Sequence, residues 1–147
     1  MCTLVKKSQK LETLDKDLKV YKLMKRKAEN GMIISGFKRF PYQKGKLYKT
    51  KIAEETSVFN MIPFDSEERN ILRKYLMEVY NDPALYIGSG FHSALTIERL
   101  KSNLYYNNVI VECIIPKGSQ ILRGIDKNLI VSNQIIINEI VFNNSEN

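Results

Sequence analysis

Apolar and polar residues alternate along Leu18-Lys-Val-Tyr-Lys-Leu-Met24. A period of two predicts a strand, with Leu18, Val20 and Lys22 on one face and Tyr21 and Leu23 on the other. The charged run Lys25–Gly31 closes on Asn30-Gly31, a hairpin signal, so Met32–Ser35 is expected as the return strand. Gly36–Gly45 mixes aromatic and basic residues and reads as a loop. Lys46–Ile52 carries alternating lysines and reads as a strand at a sheet edge. Residues 53–64 read as a loop.

The period then changes. Ile71, Leu72, Tyr75, Leu76, Val79 and Tyr80 repeat at helical spacing. Asp65 or Ser66 caps this first helix, and Asn81-Asp-Pro83 ends it. Ala84–Gly88 is a short strand, and Ser89–Ala94 a turn leading into a second helix over 95–104, with Ile97, Leu100 and Leu104 on one side. Strands are expected over Val109–Ile115, Gln120–Leu122, Ile130–Ile137 and Glu139–Phe142. The expected class is α+β: a mostly antiparallel sheet with two helices on it. Residues 18–142 form the single domain, after a flexible basic N-terminus over 1–17 and before a frayed tail over 143–147.

Composition changes this picture little. The chain has 147 residues, 44% of them apolar and 27% charged. That is the balance of one soluble domain able to bury a core. No apolar stretch approaches the ~20 residues of a membrane helix. The start, Met1-Cys-Thr-Leu-Val-Lys-Lys7, lacks the apolar centre of a signal peptide, so a cytoplasmic protein with no membrane partner is expected. In that compartment Cys2 and Cys113 are expected as reduced thiols. Two cysteines and one histidine are a poor zinc set, so no metal and no cofactor are expected.

Charge is unevenly spread. Of the net +7, residues 1–51 carry +11, with 15 Lys+Arg against 4 Asp+Glu. Residues 52–100 carry −4 and the remainder is balanced. The basic third is either a solvated face or a surface for phosphates, nucleic acid or an acidic protein. Phe37, Lys38, Arg39, Phe40 and Tyr42 are its candidates for stacking and cation contacts.

Several positions bear on chemistry. His92, the only histidine, lies between Phe91 and Ser93 in a glycine-rich stretch ahead of the second helix, a setting suited to phosphate or to simple packing. Pro116-Lys-Gly-Ser119 is either an anion site or an ordinary β-turn with glycine at positive φ. Glu112 and Glu139 read as solvent-facing strand residues.

The order of these segments is similar to ADP-ribosyltransferase-like folds: Val20-Tyr21-Lys22 early, Gly90-Phe-His-Ser93 in the middle, then Ile115-Pro-Lys-Gly-Ser119 and Gln134-Ile-Ile-Ile137 late. The similarity is tight only over 109–142 and loose elsewhere. The resemblance implies a cleft for a nicotinamide dinucleotide. The chain departs from it in having Lys22 where an Arg or His is usual, and Gln134 where the catalytic Glu is usual. An amide can hydrogen-bond a ribose hydroxyl but cannot stabilise a developing cation as a carboxylate does. No catalytic residue is therefore assigned, and a ligand site of Tyr21, Lys22, His92, Ser93 and Gln134 is expected. Tyr21 would stack, Lys22 neutralise charge, His92 and Ser93 hold phosphate or ribose, and Gln134 bind ribose.

The Met-Cys-Thr start, Val-Tyr-Lys, Gly-Phe-His-Ser and Cys-Ile-Ile-Pro-Lys-Gly also resemble small accessory proteins of bacteriophages and gut-bacterial mobile elements. That resemblance implies an anti-defence role inside a bacterial host. The leading expectation is a non-enzymatic protein that sequesters a small phosphate-bearing nucleotide, NAD-derived or cyclic. One alternative is a mono-ADP-ribosyltransferase using Glu112 or Glu139. Another is an inhibitor of a host nucleic-acid-binding or defence protein, acting through the basic N-terminal third. Homo-oligomerisation stays open.

Overall fold

A computed structural model of the chain describes residues 3–6, 9–26, 33–35, 41–55, 61–63, 66–68, 71, 84–102 and 108–143. Their strands, in chain order, are β1 (Thr3–Lys6), β2 (Glu12–Thr13), β3 (Leu18–Arg26), β4 (Ile33–Ser35), β5 (Pro41–Tyr42), β6 (Leu47–Lys49), β7 (Ala53–Glu55), β8 (Met61–Pro63), β9 (Ala84–Ser89), β10 (Phe91–Ala94), β11 (Asn108–Ile115), β12 (Gln120–Arg123), β13 (Leu129–Ser132) and β14 (Gln134–Asn143). A short helix, α1, spans Ile97–Lys101 between β10 and β11. Among the described residues the strands form a small sheet ordered β1-β9-β7-β8 and a large one ordered β2-β12-β13-β10-β3-β11-β14-β6, with β4 and β5 branching from β3. Every strand pairing among the described residues is antiparallel.

One connection shapes the large sheet. Between β13 and β14 in the hydrogen-bonded order lie β10, β3 and β11. In a flat sheet that separation is roughly 19 Å. Yet Asn133 alone joins the two strands, and a single-residue link spans only about 7 Å. The sheet must therefore curl. Inside the curl lie Val20 and Met24 of β3, Val109, Val111, Cys113 and Ile115 of β11, and Ile121, Ile130, Ile135 and Ile137 of β12 to β14, all buried in one cluster. The β3–β11 register pairs Val20 with Cys113 and Met24 with Val109, so their side chains share this inner face.

The outer face is covered in two places. Val5, Ile52 and Ile87 pack on Leu122 and Val131, joining the small sheet to the large one. Leu100 of α1 packs with Ala94, Ile110 and Leu129, alongside Tyr21, Leu23 and Phe142. Thr96 caps α1 by accepting from the Arg99 amide at 3.4 Å.

The mostly antiparallel sheet is thus present, and several boundaries differ from expectation. The N-terminal segment over 1–17 contributes β1 and β2, because Thr3 and Val5 are fully buried and β1 pairs with β9. The stretch expected as a loop over 53–64 holds β7 and β8. Ser89–Ala94 is no turn before a helix: Gly90, at φ +136°, joins β9 to β10, and only α1 follows. The expected strand over Ile130–Ile137 breaks at Asn133, while Glu139–Phe142 continues β14. Of the first expected helix, Glu67, Glu68 and Ile71 are helical; Asp65, 69–70 and 72–80 lie outside the described residues. So do Phe37, Lys38, Arg39 and Phe40, and residues 144–147 of the tail.

Candidate functional site

The alternation of β3 sends neighbouring side chains to opposite faces. Lys22 pairs with Val111 and so faces the inside of the curl. Tyr21, opposite Glu112 and Ala94, lies on the outer face with the α1 cluster. On β10, Ser93 pairs with Ile130 and faces inward, whereas His92 pairs with Val131 and faces outward. Gln134 pairs with Lys49 at the start of β14, on the face opposite buried Ile135. The five expected ligand residues therefore divide. Lys22 and Ser93 are interior, and Tyr21, His92 and Gln134 lie on the outer face, on three different strands.

The interior pair is unusual for a core. The Lys22 ammonium donates to the His92 carbonyl at 2.5 Å. Desolvation by burial lowers the Lys22 pKa from 10.5 to about 8, with nearby Cys113 acting in the other direction. Burial likewise pushes the Cys113 thiol up to about 12, and Lys22 offsets part of that. Ser93 is fully buried, and its hydroxyl has no hydrogen-bond partner among the described residues. His92 Nδ1 is 2.8 Å from the hydroxyl of buried Thr3, so the histidine fastens β1 to the large sheet. These contacts are those of residues that hold strands together.

The turn after β11 is an ordinary one. Ser119 N donates to Pro116 O at 3.1 Å, with Gly118 at φ +88°. Its other amides are occupied: Lys117 N donates to Asp17 Oδ1 at 2.8 Å and Gly118 N to Leu14 O at 2.9 Å. No free amide remains for an anion there. Glu112 accepts from Asn138 Nδ2 at 3.2 Å and faces Lys19 Nζ at 3.6 Å. Glu139 is exposed. Tyr42 is buried edge-on against Tyr48, ring centroids 4.9 Å apart, instead of offering its ring to a base.

Chemistry that the pattern did not point to gathers at the Asn133 corner. Leu11, Thr50, Lys51, Ile52, Gln120 and Asn133 line a partly open cleft of about 210 Å³. Its frame is firmly held. Thr50 N donates to Asn133 O at 2.9 Å, and Asn133 N to Gln120 O at 3.1 Å. Gln120 N donates to Asn133 Oδ1 at 2.9 Å, and Ser89 Oγ to Lys51 O at 2.9 Å. From the lining residues these bonds use backbone groups and one side-chain oxygen, Asn133 Oδ1. Among the described residues, the Asn133 Nδ2 donors, the Gln120 amide, the Thr50 hydroxyl and the Lys51 ammonium have no partner. Buried Ile52 and half-buried Leu11 supply the apolar wall. The one sequence signal for this place was the polar Ser132-Asn-Gln134 set between two apolar runs.

Among the described residues no group of three His, Cys, Asp or Glu is placed to hold a metal ion, and no helix is long and apolar enough to cross a membrane. No protein-family model, curated protein or solved structure matches the chain.

Proposed function

We propose that this protein is a non-catalytic binding protein that sequesters a small phosphate-bearing nucleotide, NAD-derived or cyclic, at the Asn133 cleft. The observation that carries this reading is a set of donors without a partner among the described residues, on a hydrogen-bonded frame: Lys51, Asn133 Nδ2, the Gln120 side chain and Thr50. Unused donors around a concave site suit phosphate and ribose oxygens. None of the six lining residues is a carboxylate, histidine or cysteine, so the cleft supports binding more than turnover. An anti-defence role in the bacterial cytoplasm is part of the same proposal.

The test is a thermal-shift screen against NAD, ADP-ribose, cyclic ADP-ribose isomers and cyclic di- and trinucleotides, with chromatography of each ligand afterwards. A ligand of the native state must raise the melting temperature. The expected result is a shift of several degrees with the ligand recovered intact. No shift with any compound overturns the proposal. A shift with ligand turnover replaces it with an enzyme and directs mutation to Glu112 and Glu139.

A further inference from the structure

Resting on that reading, we infer that the moiety held in the cleft is a phosphorylated pentose, with the base left outside. The lining residues divide by chemistry. Lys51 is exposed and carries the only charge among the six. It suits the phosphate, which a cation and N–H donors bind as charge-assisted hydrogen bonds. The half-buried Gln120 side-chain amide and Thr50 hydroxyl each both donate and accept. Sugar hydroxyls have the same double character. Asn133 Nδ2 adds two donors, because its Oδ1 is already held by the Gln120 amide N–H. Leu11 and Ile52 offer an apolar wall to the carbon face of the ring.

A base is not provided for. Among the described residues, no aromatic or arginine side chain lines the cleft. Proteins that hold a base commonly stack it on a ring or a guanidinium. Size agrees, since the partly open cleft has a volume of only about 210 Å³. Sites for whole drug-sized ligands begin at about 300 Å³. A sugar phosphate fits this space better than a complete nucleotide.

The experiment is calorimetric titration of the full chain with ribose 5-phosphate, inorganic phosphate, adenosine and ADP-ribose. The expected result is binding of ribose 5-phosphate and ADP-ribose with similar affinity, phosphate at least tenfold weaker, and no binding of adenosine. Lys51→Ala and Gln120→Leu should each weaken ribose 5-phosphate by roughly tenfold or more. Both change side chains whose polar ends have no partner among the described residues, and unchanged melting temperatures would confirm that the variants fold. Binding of adenosine but not ribose 5-phosphate would overturn this inference and leave nucleotide binding standing. Phosphate binding as tightly as ribose 5-phosphate would also overturn it, by removing the sugar from recognition. Failure of all four compounds, and of the wider nucleotide panel, would overturn the proposed function itself.

Discussion

The ammonium of Lys22 on β3 donates to the backbone carbonyl of His92 on β10, across a separation of 70 residues. A cation thereby sits among Val20, Met24, Val111 and Cys113 on the inner face of a curled sheet. A charge in such surroundings costs free energy unless it is well paired, and here its pKa falls instead.

The consequence is a characteristic dependence of stability on pH. Lys22 loses its proton near pH 8 when folded and near 10.5 when unfolded. Between those values the unfolded chain binds more protons, so stability rises with pH. Cys113 and Tyr42 act in the opposite sense. Their pKa values rise to about 12 on folding, from 9.0 and 10.0. The unfolded chain releases those protons first, and stability falls with pH above each unfolded value. Taken together, these groups raise stability from pH 8 to 9, hold it level to 10 and lower it beyond. Lys22→Met should remove the rise and stabilise the protein at pH 7 by up to about 3 kcal/mol. Urea unfolding of both proteins from pH 7 to 11 reads this directly. A constant difference between them at all pH values would show that Lys22 keeps its ordinary pKa.

Cys113 should be inert while the protein is folded. It is fully buried, and its thiol stays protonated far above neutrality. The thiolate is the reactive form. At pH 8, iodoacetamide should leave Cys113 unmodified for hours in buffer and alkylate it within minutes in concentrated urea. Peptide mapping by mass spectrometry separates it from Cys2. Rapid alkylation of Cys113 in buffer would mean that the curled sheet opens readily.

Gly90 should not tolerate a side chain. Its φ of +136° is strained for any L residue, and an added Cβ would collide with Val131 Cγ1 and sit 3.5 Å from Ser132 O. Gly90→Ala should cost roughly 2 to 4 kcal/mol through backbone strain and overpacking. The matched control is Gly45→Ala, which shares a positive φ but has open space around it. A smaller loss there would separate the collision from the strain. Equal losses in urea unfolding would count against the collision.

What the pattern of residues could reveal depended on how local the cause was. β3 was legible because period-two alternation lies in neighbouring residues, and β11 because Val109–Ile115 is nearly continuously apolar. The break at Asn133 was not, because three polar residues, Ser132-Asn-Gln134, within Ile130–Ile137 fit one strand as readily as a corner. The bond that fixes the corner joins Asn133 to Gln120, 13 residues away. Ser89–Ala94 resembled a turn because glycines flank Ser89, whereas one of them, Gly90, simply joins two strands. At the site, alternation already set Tyr21 and Lys22 on opposite faces. Only the fold resemblance had drawn both towards one pocket. Thr50, Lys51 and Gln120 carry no local signature, and long-range backbone pairing alone brings them together.

Asn133 can be used to separate architecture from binding. Its Oδ1 accepts from the Gln120 backbone N–H at the corner, while its Nδ2 has no partner among the described residues and belongs to the proposed ligand site. Asn133→Asp keeps an acceptor for Gln120 N and removes both donors. It also places a negative charge where phosphate oxygens would lie. Stability should stay within about 1 kcal/mol of the parent, and ribose 5-phosphate binding should disappear. Asn133→Leu should instead lose roughly 1 to 3 kcal/mol, because the Gln120 N–H is left without a partner. Urea unfolding paired with calorimetry reads both quantities on each variant. Binding retained by Asn133→Asp would take Asn133 out of the ligand's contacts. A large stability loss in that variant would show that the corner needs more from Asn133 than one accepting oxygen.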